Sequence, residues 1–158
     1  MPTEIPARGI LGILAVLSGF YTIYKYKVIS SEVGSGKFYV LVTLLVAGSA
    51  LGIYNQGGFG VAHVLAVLTL IALAGGYIME RYKWFGSFSK YFQALGYTST
   101  LVFHMIPAIT DFLRRLTVGD PFIDSFEDPL LLNFHMAFLI IYVLGIIAQM
   151  IWLNRQAT

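Results

Sequence analysis

The chain has no cysteine among its 158 residues. It therefore offers no disulfide, no thiolate nucleophile and no thiolate ligand for a metal. These absences exclude cysteine-ligated iron–sulfur clusters and zinc fingers. Imidazole and carboxylate side chains are then the protein ligands that a transition metal would find here.

Charged side chains are also scarce, since only 11% of the residues are Asp, Glu, Lys or Arg. Four long stretches contain none of them, namely residues 9–24, 38–79, 91–110 and 129–154. A helix needs ~20 apolar residues to cross the hydrocarbon core of a bilayer. Because lipid offers no water to unpaired backbone groups, runs of this length must close their hydrogen bonds internally, which indicates helices. The sequence thus predicts an all-α integral membrane protein.

The second charge-free stretch is twice the length of one span and is broken by a polar, glycine-rich segment at residues 55–58. Such a segment predicts a tight turn between two spans. We therefore expect one transmembrane domain over residues 1–158, a bundle of five helices. The predicted spans are 9–26, 38–54, 59–79, 89–113 and 129–153, with an acidic outer loop at 114–128.

Basic residues are distributed unevenly between the two ends of this predicted bundle. One end has three, Arg8, Arg114 and Arg115. The other end has seven, which are Lys25, Lys27, Lys37, Arg81, Lys83, Lys90 and Arg155. The positive-inside rule then predicts an outside N-terminus and an inside C-terminus, in a multi-pass protein of the bacterial inner (cytoplasmic) membrane. At the inner rim, Glu80, Arg81 and Lys83 are expected to form a solvated interface.

Small and polar residues inside the spans predict how the helices pack. Small residues recur at four-residue spacing in three pairs, Ala15/Gly19, Gly48/Gly52 and Ala72/Gly76. Such pairs allow close helix contact, here expected within the chain. Polar side chains of the fourth and fifth spans are expected to hydrogen-bond between helices: Thr98, Ser99, Thr100, Asn133 and Gln149. Asp128 followed by Pro129 predicts the start of the last helix.

All three histidines, His63, His104 and His135, lie inside apolar stretches. Ionisable residues within spans are costly and usually face the bundle interior, so each histidine is a candidate functional residue. At 1.5 Å per residue, each lies roughly 7–10 Å below the outer end of its predicted span. Asp111 follows His104 by seven residues and therefore shares its helix face.

Three interpretations of these histidines stay open. In the first, two of them ligate the iron of a haem b. In the second, His63, His104 and His135, with or without Asp111, bind zinc, copper or iron. In the third, each imidazole hydrogen-bonds to a neighbouring helix and only contributes to packing. No histidine-containing metal or haem motif selects among them.

Four segments carry a resemblance to a known family. They are GKFYVLVTLLVAGSALGIY, GGFGVAHVLAVLTLIALAGGY, YTSTLVFHMIPAITDFLRRL and the DPF…EDPLL segment before the last span, within residues 36–153. In this pattern the chain resembles the DUF2306-like family of small bacterial membrane proteins. It has Ser35 and Lys37 where members carry a histidine and arginine pair. The resemblance implies a bacterial inner-membrane protein and carries over no catalytic residue, because the function of that family is unsettled.

The sequence favours a non-enzymatic role, either as an accessory or scaffold subunit of a membrane complex or as a binder of a hydrophobic small molecule. The alternative is a histidine-ligated haem b or metal protein in membrane electron transfer or redox chemistry. Enzymatic work on a lipid or quinone, with a histidine as general base, is a third possibility. The expected partners are the lipid bilayer and, within it, other subunits or further copies of the chain. Nucleic acid is not among them.

Overall fold

The computed structural model describes residues 7–52, 58–115, 125 and 127–157. These residues form five α-helices, α1 Ala7–Tyr26, α2 Gly34–Leu51, α3 Val61–Tyr82, α4 Ser89–Arg115 and α5 Pro129–Arg155, with a 3₁₀ turn at Gly86–Phe88. Each helix overlaps one predicted span, and the all-α fold is confirmed for this part of the chain. Residues 55–57 of the predicted turn, and 116–124 and 126 of the predicted acidic loop, lie outside the described residues.

Four helices in the described ranges are long and apolar enough to cross a membrane, namely α2, α3, α5 and the Gly9–Tyr26 part of α1. Their outer surfaces are apolar too. Leu45, Ile71 and Ile141, on α2, α3 and α5, are 60%, 64% and 62% exposed. Apolar surface on this scale is unusual for a soluble protein and suits contact with lipid tails. These features mark the chain as a helical membrane protein.

Four of the helices form a ring. α1 packs against α2, α2 against α3 and α3 against α4, and α4 closes the ring by packing against α1. Short connections join α1 to α2 and α3 to α4, so these neighbours run in opposite directions. α5 packs against α4 from outside the ring. The helix α4 therefore contacts α1, α3 and α5 and is the central element of the bundle.

The end where α1, α3 and α5 finish is called the basic end here. Two hydrogen bonds tie α5 to it: Gln149 Nε2 donates to the carbonyl of Lys27 at 2.9 Å, and Lys90 Nζ donates to the carbonyl of Leu153 at 2.9 Å. The seven basic residues of the predicted inner side all belong to helix ends and connections that meet there. The positive charge of the chain is thus concentrated at one end of the bundle.

Glycine allows α3 and α4 to approach closely. A Cβ atom added to Gly96 would lie 2.7 Å from the carbonyl oxygen of Ala72 and 2.9 Å from Cα of Gly76. Both of these are backbone atoms, which cannot move aside as a flexible side chain can. A Cβ atom on Gly76 would meet the ring of Tyr97 at 2.9 Å. The crossing of these two helices therefore depends on residues without side chains.

The other predicted small-residue pairs differ in their outcome. Ala15 is fully buried, and a Cβ atom on Gly19 would lie 2.8 Å from the Tyr39 ring, so this pair packs within the chain as expected. The prediction is wrong for Gly48, where an added Cβ atom meets no described atom within 4 Å. The α2 face that carries Gly48 points away from the ring. The prediction for the start of α5 is confirmed, because the Asp128 side chain accepts from Leu130 N at 2.8 Å.

Gly96→Ala tests whether the α3–α4 crossing needs a bare backbone. The added methyl group collides with backbone atoms, so we expect a loss of about 1–3 kcal/mol in the free energy of unfolding. Gly48→Ala is the matched control, since its methyl group enters open space and a helix interior favours alanine by about 0.5–1 kcal/mol. Thermal unfolding in detergent measures both. Equal melting temperatures for the two variants would contradict the packing described.

Candidate functional site

A carboxylate with several donors lies at the basic end. Glu80 Oε1 accepts from Ser30 Oγ, from Ser31 N at 2.8 Å and from Gln93 Nε2 at 3.4 Å. Its Oε2 accepts from Ser31 Oγ at 2.7 Å and from Tyr97 OH at 2.6 Å. These five residues, called the Glu80 cluster below, join α3, α4 and the connection between α1 and α2. Hydrogen bonds to charged groups are among the stronger ones in proteins, so the cluster fixes this end.

The expectation of a solvated rim is wrong for Glu80, although it is correct for the exposed Arg81 and Lys83. The buried residues of α3 recur every three or four positions and are Ala66, Thr69, Leu73 and Gly76. Glu80 continues that series one turn beyond Gly76, which places its carboxylate on the packing face. This spacing is therefore the sequence signal that could have predicted a half-buried Glu80.

An open cleft of about 340 Å³ lies beside the Glu80 cluster. Its lining includes Glu80, Lys83, Ser87 and Lys90, from the end of α3, the connection and the start of α4. Lys90 is held in place, because its ammonium donates to the Leu153 carbonyl and lies 5.1 Å from the centre of the Tyr91 ring. The cleft is therefore lined by two lysines and by one carboxylate residue whose oxygens already accept from protein donors.

An apolar groove of about 290 Å³ follows the α3–α4 crossing. Its lining is mostly small or apolar and includes Ala72, Gly75, Gly76, Met79, Phe92, Leu95, Gly96 and Ser99. Met79 also lines the cleft, so groove and cleft adjoin at this side chain. The cleft at the basic end has a largely polar lining, whereas the groove along the helices has a largely apolar one. We call the two together the α3–α4 site.

A second polar group lies in the centre of the ring. Thr100 Oγ1 donates to the carbonyl of Tyr97 at 2.7 Å, so Tyr39 OH is the donor in its 2.6 Å bond to Thr100. One turn further along the same two helices, His104 Nε2 lies 3.2 Å from Thr43 Oγ1. Two pairs at i and i+4, on α2 and α4, thus meet across the ring. His104 is buried and has a structural partner.

The other two histidines have separate surroundings. His63 lies at the start of α3, where its Nδ1 accepts from Gly60 N at 3.2 Å and its ring stacks on Phe59 with centroids 5.5 Å apart. On α5, the Nε2 atom of His135 is buried without a hydrogen-bond partner among the described residues. The imidazoles of His63 and His104 thus act as a helix cap and a packing contact.

No group of three or more His, Cys, Asp or Glu side chains in the described ranges is placed to hold a metal ion. The predicted centre of His63, His104 and His135 with Asp111 is therefore not assembled in this part of the chain. Thr100 and His104 do share a buried face of α4, whereas Asp111 is exposed. Ligation of haem by two of the histidines stays a prediction.

Of the five polar side chains predicted to hydrogen-bond between helices, those of Thr98, Ser99, Thr100 and Gln149 do so. Thr98 Oγ1 donates to Gln149 Oε1 at 2.9 Å. Ser99 Oγ donates to the Leu95 carbonyl, so Tyr142 OH is the donor in its 2.7 Å bond to Ser99. Asn133 is exposed and does not take the predicted interior position. Tyr142 was missed, although it lies midway between His135 and Gln149 at seven-residue spacing on one face of α5.

Glu80→Ala tests the role of the Glu80 cluster. Removal of the carboxylate leaves the donors of Ser31, Gln93 and Tyr97 without this acceptor, and each such loss costs about 1–3 kcal/mol. We expect the connection at residues 27–33 to exchange its amide hydrogens about tenfold faster or more. Hydrogen-exchange mass spectrometry measures this, with the exposed neighbour Arg81→Ala as control. Unchanged exchange in Glu80→Ala would show that the cluster does not fix the connection.

Comparison with protein-family models, with curated proteins and with solved structures finds no match for this chain. The resemblance to the DUF2306-like family stays a prediction.

Proposed function

We propose that this protein binds an amphipathic, lipid-like molecule in the α3–α4 site. The main observation in support of this proposal is that the apolar groove and the polar cleft adjoin at Met79. A ligand that fits both parts has a polar head and an apolar chain. The proposal belongs to the class of non-enzymatic binders of hydrophobic molecules that the sequence favours.

We also propose that α4 crosses the membrane as a fifth span. With 27 residues it is about 40 Å long, more than the ~30 Å hydrocarbon core. Its composition is more polar than that of the other helices, but Thr98, Thr100 and His104 are buried against its neighbours. Packing against α1, α3 and α5 thus keeps these polar side chains of α4 away from lipid. The basic end is then the inner end, with the N-terminus outside and the C-terminus inside, in the bacterial inner membrane that the family resemblance implies.

The groove has room for part of a lipid chain in one leaflet. From Ala72 to Met79, the residues of α3 that line it rise about 10 Å, which is roughly a third of the hydrocarbon core. Gly75 has no side chain to fill the groove, and an added Cβ atom there meets no described atom within 4 Å. It opens sideways, toward the surface where α3 and α4 face lipid. A chain in the bilayer can enter from there without crossing the polar headgroups.

Two other roles stay predictions. An accessory or scaffold subunit needs a protein partner on an outer face of the bundle, and a haem b protein needs two converging histidines. The described residues present no feature that favours either over lipid binding.

Gly75→Leu tests the proposed binding. Gly75 lines the groove, and an added Cβ atom meets no described atom within 4 Å, so leucine fills the groove without disturbing the fold. Native mass spectrometry on gently solubilised protein should find lipid bound to the wild type and about fivefold less bound to Gly75→Leu.

Gly48→Leu is the matched control, because it makes the same change in open space on α2, away from the groove. Its lipid occupancy should equal that of the wild type. Equal occupancy in all three proteins would refute binding in the α3–α4 groove. Melting temperatures of both variants close to that of the wild type would confirm that the fold is intact.

A further inference from the structure

We infer that the cleft at the basic end selects an anionic lipid headgroup, one that carries a phosphate. This inference rests on the proposed function and names the class of lipid that the α3–α4 site takes. Its basis is that two lysines, Lys83 and Lys90, line the cleft, which adjoins the apolar groove at Met79.

The two lysines are placed differently and complement each other. Lys90 Nζ is fixed by the Leu153 carbonyl at 2.9 Å, yet an ammonium has three donors, so it can also bind an anion. Lys83 caps α3 with a left-handed backbone, φ 50°, and its side chain is exposed. Its four-carbon stem can adjust to the position of the headgroup. The tail of a bound lipid sets the depth of its phosphate. Lys90 then offers a fixed cation, and Lys83 can move to reach the phosphate.

The surroundings favour negative charge despite the presence of Glu80. The Glu80 oxygens accept from the serines of the α1–α2 connection and from Gln93 and Tyr97. At the same end of the bundle, seven basic side chains face two acidic ones, Glu32 and Glu80. A cleft under such a field concentrates anions and disfavours a headgroup with its own ammonium.

The ligand is a lipid and not a free anion, because an apolar groove adjoins the cleft at Met79. Gly75 lines that groove, and an added Cβ atom there meets no described atom within 4 Å, which leaves room for a chain. A free phosphate would use the cleft alone and leave the groove without a role. The tail supplies apolar contact, and the lysines supply selection among headgroups.

The test compares two lipids with identical dioleoyl chains, phosphatidylglycerol and phosphatidylcholine, by native mass spectrometry of the full chain. A charged side chain near an anionic surface contributes about 1 kcal/mol, so two lysines predict a preference of about tenfold or more for phosphatidylglycerol. The double variant Lys83→Gln/Lys90→Gln should reduce that preference to about twofold or less. Lys83→Gln alone, at an exposed position, should have an intermediate effect with the Lys90 contact intact.

The matched control is Lys25→Gln/Lys37→Gln, which removes two charges from the same end of the bundle but not from the cleft. It should keep the preference of the wild type. Loss of preference in this control to the same extent as in the cleft variant would overturn the inference, since general surface charge would then suffice. A wild type that binds both lipids equally, or a cleft variant that retains the full preference, would also overturn it while leaving the proposed function standing.

Two further experiments test the groove separately from the headgroup and distinguish a lipid from a free anion. Gly75→Leu should lose both lipids, which tests the groove independently of the headgroup. Inorganic phosphate at millimolar concentration should not displace phosphatidylglycerol. Displacement by phosphate alone would show that the cleft is a site for a free anion, against the inference.

Discussion

A polar helix in a bilayer needs its hydrogen-bond partners from other helices, because lipid provides none. In our proposal, the structure of this protein depends on that constraint at α4. Tyr39 and Thr43 of α2 bond to Thr100 and His104, and Tyr142 and Gln149 of α5 bond to Ser99 and Thr98. α4 thus contacts all four apolar helices, because α1, α3 and α5 pack beside it and α2 bonds to it across the ring.

The same arrangement produces the α3–α4 site. The backbones of α3 and α4 approach so closely that Gly76 and Gly96 lie in direct contact. Beside this contact, small residues leave a groove on the lipid side. At the basic end Glu80 fixes the connection between α1 and α2, so that Lys83 and Lys90 lie over a defined cleft. In our proposal, residues that pack α3 against α4, such as Gly76 and Gly96, therefore also line the lipid-binding groove.

Much of the fold could be predicted from where charge is missing. Runs without Asp, Glu, Lys or Arg located all five helices. Which helix the His104 face of α4 meets could not be predicted, because uniformly apolar helices give no signal for their rotation. The diagonal contact with Tyr39 and Thr43 became visible only in the assembled ring.

The candidate site was harder to predict for a different reason. An acid at the end of an apolar run usually faces water, and only its spacing from Gly76 separates Glu80 from that ordinary case. The histidines showed the opposite problem. Their depth suggested a shared centre, but His63 is used by a local backbone contact at Gly60, and depth alone does not bring three helices' side chains together.

We propose that α4, the most polar of the helices, crosses the membrane in contact with the other four. Because the chain has no cysteine, single cysteines introduced by Ser87→Cys and Ser125→Cys report the two ends of α4 without background. A membrane-impermeant maleimide applied to intact bacterial cells should label the second variant, and should label the first only after the membrane is permeabilised. Labelling of both variants from the same side would show that α4 does not cross the membrane.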